Sequence, residues 1–331
     1  MLRHRRLLGV LVAVLLLAGA VFGVLWLLPS DHYIVLPDRA RPVDALVSVP
    51  GESRDPRNSG IYMVDVRVGR ASIFERLFPE IHDGASLVPE RALNPAGVSD
   101  RERRASSLQD MDRSQEIATT VALRAVGEEV AVTPVGAQVV LVVPDAPADG
   151  KLEVGDVIVE ADEARVRTTA NLQEAMQDVR PGEDVVLRVR RAGKERSVTV
   201  GTRAAPDDAQ RAVVGIQVRD DARFRFPVDV QIDAGSIGGP SAGLAFALDI
   251  VDELGEDVDR GRTIVATGEL TLDGDVVAIG GVEQKTIAAR NADADVFLVP
   301  DANAAEAREH ADGLRIVAVS DFDEALSALA K

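Results

Sequence analysis

From about residue 212 onward, short apolar runs alternate with segments of helical period. Val213–Val218, Val228–Ile232, Thr263–Thr267, Val276–Ala278, Val296–Val299 and Arg315–Val319 read as strands. Ser241–Leu254, Glu283–Asn291, Ala304–Glu309 and Asp323–Ala330 read as helices. This alternation predicts an α/β fold.

The pattern differs upstream. Between about residues 131 and 203 it predicts a strand at Val139–Val143, a short helix at Asn171–Val179, and a hairpin of Val185–Arg190 with Arg196–Val200 around Gly193. Before that, Tyr33–Leu36 and Ala45–Val49 read as short strands between prolines, and Ile61–Val68 as a longer one. Ser106–Val126 reads as a helix with Ile117, Val121 and Ala125 along one face, stopped by Gly127.

At the amino terminus, Arg3, Arg5 and Arg6 precede an uncharged apolar run of 22 residues, Leu7–Leu28. About 20 residues suffice to cross a bilayer as a helix. The run is longer than the apolar core of a cleaved signal peptide and continues past the small residues Ala18-Gly19-Ala20. The expectation is a single-pass anchor with its N-terminus in the cytoplasm and the rest of the chain outside.

Charge and composition narrow the classes. The 331 residues carry 37 Lys+Arg and 54 Asp+Glu, a net charge of −17, which argues against a nucleic-acid partner. With no cysteine, disulfides, thiolate metal sites and a cysteine nucleophile are excluded. His4, His32, His82 and His310 have no metal-ligating spacing, so neither a metal nor a cofactor is expected.

Two glycine turns carry the candidate chemistry. Gly238-Gly239-Pro240-Ser241-Ala242-Gly243 opens an apolar helix. Small neighbours expose the serine hydroxyl, and the helix N-terminus favours an oxyanion. An N-capped helix start is the plain alternative. Gly280-Gly281-Val282-Glu283-Gln284-Lys285 places a lysine in the first turn of another helix, where a cation is disfavoured. Burial there lowers an amine's pKa toward the range of a general base. Only Lys151, Lys194, Lys285 and Lys331 are lysines, so a lysine at this position stands out.

The motifs G-P-S-A-G, T-G-E-L-T-L-D-G-D-V and I-G-G-V-E-Q-K resemble, in that order, the proteolytic domain of Lon-type serine–lysine peptidases. The 44 residues between Ser241 and Lys285 are close to that family's spacing. The resemblance implies Ser241 as nucleophile, Lys285 as general base and Thr267 as the residue that positions the lysine. It also implies oxyanion stabilisation by the turn at Gly239, Pro240 and Ala242. Two features depart from ATP-driven members: Ile237-Gly238 replaces a Lys-Asp pair, and no G-x-x-x-x-G-K-[ST] occurs.

The central module resembles a PDZ domain through its L-x-x-G-D-x-I pattern at Leu152–Ile158, followed by one helix and a closing hairpin. PDZ domains bind peptides by strand addition and capture a terminal carboxylate. Val135-Gly136-Ala137 is the nearest match to the capturing loop.

Together these readings predict an α/β (α+β) Lon-type proteolytic domain with an inserted PDZ domain behind a transmembrane helix. The boundaries are 1–30 for the tip and anchor, 31–127 for a β-rich segment and helix forming the first part of the protease domain, 128–203 for the PDZ domain, and 204–331 for the catalytic domain. The resemblance implies an ATP-independent endopeptidase acting on unfolded or flexible extracytoplasmic polypeptides, with C-terminal peptides as PDZ ligands. A homo-oligomer is compatible with it. The alternative is a membrane-tethered PDZ adaptor without catalysis.

Overall fold

The computed structural model describes residues 2–50, 60–93 and 100–330, apart from the side chains of residues 2–11, 18 and 102. The chain divides into two compact units. One comprises residues 1–45, 55–95 and 257–331; the other comprises 46–54 and 96–256.

The first unit is built on a five-stranded sheet in the order Arg41–Pro42, Gly60–Met63, Thr263–Ala266, Val296–Pro300, Ile316–Val319. The last four strands are parallel, and Arg41–Pro42 closes one edge antiparallel. Parallel neighbours need crossover connections. Helix Val282–Asn291 lies between Thr263–Ala266 and Val296–Pro300 in sequence, and helix Ala304–Glu309 between Val296–Pro300 and Ile316–Val319. Strand Val296–Pro300 is buried throughout, as expected of a parallel strand covered on both faces. Val265, Phe297 and Val299 pack with Val282, Ala288, Ala289, Ala304 and Ala307 into one core. The last helix, Phe322–Leu329, starts at Asp321, whose carboxylate accepts the Glu324 N–H at 2.7 Å. A separate antiparallel sheet orders Val66–Ser72, Pro29–Pro37 and Ser86–Pro89.

The expected single strand Ile61–Val68 is therefore two strands in two sheets. The chain leaves the parallel sheet after Met63 and enters the antiparallel one at Val66. An apolar period continues across the break because Val64 is buried in the core although it belongs to neither strand.

The N-terminal helix spans Leu2–Leu27. Among the described residues no helix is long and apolar enough to cross a membrane. The expected span Leu7–Leu28 lies partly outside them, since the side chains of residues 7–11 and 18 are not described.

The second unit contains a sheet in the order Lys194–Gly201, Asp184–Arg191, Val157–Ala161, Ala131–Val142, Ile216–Arg225. These strands are antiparallel throughout. Ala137, Val139, Ile158, Val185, Leu187, Val189 and Val200 form its core with Leu172 of the helix Thr169–Met176. The expected strand Val213–Val218 is interrupted at Gly215, where φ is +83° and an added Cβ would stand 2.2 Å from that of Ala146. Two further helices pack together, Asp100–Ala125 and Gly243–Glu253. Gly243 to Val251 are all buried, Asp249 among them, so this stretch of the helix is enclosed on every side rather than half-exposed.

Candidate active site

Thr267 and Asp65 follow neighbouring parallel strands of the first unit. Ala266 and Met63, the last residues of those strands, are register partners. In open α/β sheets, ligand chemistry collects at the carboxyl ends of such strands. The Thr267 N–H donates to Leu298 O at 3.1 Å, which holds the residue against the next strand.

Lys285 enters from the helix Val282–Asn291, its N–H bonded to Gly281 O at 3.0 Å. The preceding residue, Gln284, ties this helix to a neighbouring turn. Its amide donates to Gly84 O and to Ser86 Oγ, both at 2.7 Å.

Lys285 is 3 % exposed and Thr267 1 % exposed, and Lys285 Nζ donates to Thr267 Oγ1 at 3.3 Å. Burial disfavours the ammonium form and lowers the lysine's pKa to about 8, against an opposing pull from the Asp65 carboxylate. Asp65 is itself shifted upward by burial, moderated by the Val66 N–H that its Oδ1 accepts at 2.7 Å. The result is an amine with a substantial neutral fraction near physiological pH.

Ser241 lies in the second unit, in the turn that opens the helix Gly243–Glu253. The helix Asp100–Ala125 holds this turn from one face. Ser107 O accepts the Gly239 N–H at 2.7 Å, and Ser114 Oγ donates to Pro240 O at 2.9 Å. Ser107 and Ser114 are seven residues apart, two helical turns, and so share a face. Gly238 is close to the same helix, since a Cβ there would stand 2.4 Å from Ser107 Oγ. Gly239 has φ +91°, a conformation that favours glycine.

This geometry narrows the expected oxyanion turn. The Gly239 N–H already donates to Ser107, and Pro240 has no N–H. Ala242 supplies the remaining amide of the three. Asp65 and Ser114 were not legible as site residues. Asp65 is one carboxylate among many, and Ser114 is marked only by its seven-residue spacing from Ser107.

Val135, Gly136 and Ala137, expected as a carboxylate-capturing loop, lie inside the strand Ala131–Val142. Gly136 pairs with Asp221, and Ala137 pairs with Asp220 on one side and Ile158 on the other. Gly136 and Ala137 thus belong to a ladder rather than to an open turn, and Val135 falls at a register shift within the strand.

Two segments of the chain match known families. Residues 204–331 match the model of the Lon protease (S16) C-terminal proteolytic domain, and residues 102–202 match that of the PDZ domain. The chain carries a PDZ domain followed by a Lon-type serine-peptidase domain. A Lon protease of Roseiflexus castenholzii is 34 % identical over 130 residues, covering 38 % of this chain and 16 % of the relative. Lon protease 2 of Bacillus subtilis is 35 % identical over 109 residues, covering 33 % and 19 % respectively. The chain thus spans less than a fifth of the length of either relative. The crystal structure of the PDZ domain of an SdrC-like protein from Listeria innocua is 24 % identical, with TM-score 0.24, covering 25 % of this chain and 92 % of that one.

Proposed function

We propose that this chain is an ATP-independent serine endopeptidase in which Ser241 is the nucleophile, Lys285 the general base and Thr267 the residue that orients the amine. The observation that carries the reading is the buried Lys285 amine, shifted to a pKa of about 8 and hydrogen-bonded to Thr267. A serine hydroxyl needs a base to become a useful nucleophile, and a neutral lysine is a known alternative to histidine.

In this mechanism Ser241 Oγ attacks the scissile carbonyl carbon as its proton passes to Lys285 Nζ. The tetrahedral oxyanion is stabilised by amides of the serine turn, including that of Ala242. The C–N bond then breaks as the ammonium returns its proton to the leaving amine. Water, deprotonated by the same lysine, hydrolyses the acyl-enzyme and regenerates the serine.

The lack of a G-x-x-x-x-G-K-[ST] motif in this sequence supports unfolded or flexible polypeptides as substrates, which the PDZ domain recruits or admits to the site. The uncharged run Leu7–Leu28 behind three arginines supports attachment to the membrane, with the catalytic part outside the cytoplasm. An inserted PDZ domain, with the protease domain resumed after it, accords with Gly60–Met63 pairing in the same parallel sheet as Thr263–Ala266.

The test is incubation of the full chain in detergent with casein, without ATP, as wild type, Ser241→Ala and Lys285→Ala. Cleavage by wild type alone is the expected result. Equal cleavage by all three would place the chemistry elsewhere, and cleavage by none would favour the non-catalytic adaptor.

A further inference from the structure

The PDZ sheet carries a cavity of about 700 Å³, within the range of ligand sites. All its lining residues belong to the second unit. Its apolar part comes from Val135, Val159 and Val166. Its charge comes from Arg165, Arg167, Arg190 and Arg223, against one lining carboxylate, Glu195.

The four arginines are not equivalent. Arg190 is paired with Asp221 at 3.4 Å. The guanidinium groups of Arg165, Arg167 and Arg223 have no carboxylate partner among the described residues. In a chain of net charge −17, a surplus of acids would be expected to pair surface arginines. Here three unpaired guanidinium groups share one concavity. Guanidinium is a planar fork suited to carboxylates, and an excess of it in one cavity is an anion-selecting arrangement. Screening confines the repulsion of the acidic exterior to about a Debye length, ~8 Å at physiological ionic strength, so the local basic field governs binding within the cavity.

We propose that this cavity binds an acidic polypeptide segment, its carboxylates held by Arg165, Arg167 and Arg223 and its aliphatic stems resting on Val135, Val159 and Val166. The mixed lining favours a peptide over a bare polyanion, because glutamate side chains bring apolar stems that phosphates lack. The proposal deepens the recognition role given above to the PDZ domain. It differs from terminal-carboxylate capture, since the arginines read side chains within a segment.

The test uses the full chain carrying Ser241→Ala, so that the probe stays intact, and measures binding rather than cleavage. Failure of the serine–lysine mechanism would therefore leave this readout standing. The probes are fluorescent hexaglutamate and hexaglutamine peptides, both acetylated and C-terminally amidated, followed by anisotropy. Hexaglutamate should bind at least ten-fold more tightly, and raising the salt should shrink the difference. Adding Arg165→Gln and Arg223→Gln should remove most of the preference, whereas Arg308→Gln, which does not line the cavity, should not. Thermal unfolding of the double variant checks that it is folded; Arg167→Gln alone serves if it is not. Equal binding of the two peptides, or a preference that survives loss of the arginines, would overturn the proposal. Displacement of hexaglutamate by tripolyphosphate at equal or lower concentration would overturn the choice of a peptide.

Discussion

The amine of Lys285 and the hydroxyl of Thr267 are hydrogen-bonded at 3.3 Å in a setting where both residues are almost fully buried. Few positions are open to a lysine side chain held in this way. Its nitrogen donates to a hydroxyl just past the end of a parallel strand.

Thr267→Val keeps the shape of the side chain and removes the acceptor. It should lower kcat roughly ten- to a hundred-fold with little change in KM, the scale of a misplaced catalytic group. Thr267→Ser should restore most of the loss. A serine variant as impaired as valine would assign Thr267 a packing role only.

The pH dependence follows from the charge on Lys285. The neutral amine is the base, so kcat/KM should rise with pH and reach half its plateau at about 8. The Asp65 carboxylate holds this value up, and Asp65→Asn should move the rise to lower pH. A midpoint unmoved by Asp65→Asn would show that the two groups are not coupled. Lys285→Arg should be inactive at every pH, because guanidinium does not deprotonate.

Stability should carry the same signature. The Lys285 pKa is lowered from 10.5 to about 8, so between these values the unfolded chain binds more protons and stability rises with pH. Below pH 8 the penalty is fully present, about 3 kcal/mol at 1.36 kcal/mol per pKa unit. Lys285→Met should remove the slope between pH 8 and 10.5 and stabilise the protein at pH 7. Urea titrations at several pH values measure it, and identical slopes in the two proteins would contradict a buried, depressed lysine.

The serine turn depends on the absence of a side chain at residue 238. A Cβ on Gly238 would stand 2.4 Å from Ser107 Oγ and 3.2 Å from the Ser107 carbonyl carbon. Gly238→Ala should therefore destabilise by about 1–3 kcal/mol and displace the Ser241 turn. Ser107→Ala in the same chain removes the worst contact and should recover part of both stability and activity. No recovery would mean that the turn is not held by this helix.

The PDZ domain has its own fixed point. Asp156, fully buried, accepts Arg191 Nε at 2.5 Å and Nη2 at 2.6 Å, and its Oδ2 also accepts the Glu153 N–H at 3.0 Å. Arg191→Ala would leave this carboxylate buried without its cation, at a cost of about 3–5 kcal/mol. Calorimetry should show a lower transition for the variant. An unchanged transition would mean that water reaches Asp156.

Hydrophobic period and glycine placement, both readable along the chain, determined the alternating elements after residue 212, the central hairpin, the Ser241 and Lys285 turns and the resemblance that named their roles. They act within a few residues, so sequence carries them directly. Partition of the chain between sheets depends on pairing across long separations. Val64 continues an apolar period through a break between two sheets, and nothing local marks it. Pairing likewise placed Val135–Ala137 inside a strand instead of a loop, because Gly136 and Ala137 pair with Asp221 and Asp220, far along the chain. Only tertiary structure brought Asp65 and Thr267 to the ends of neighbouring strands, used the Gly239 amide on Ser107, and gathered in one cavity three arginines without a carboxylate partner among the described residues. Charge and burial at a site are set by what folds around it, and one residue's type does not record its neighbours.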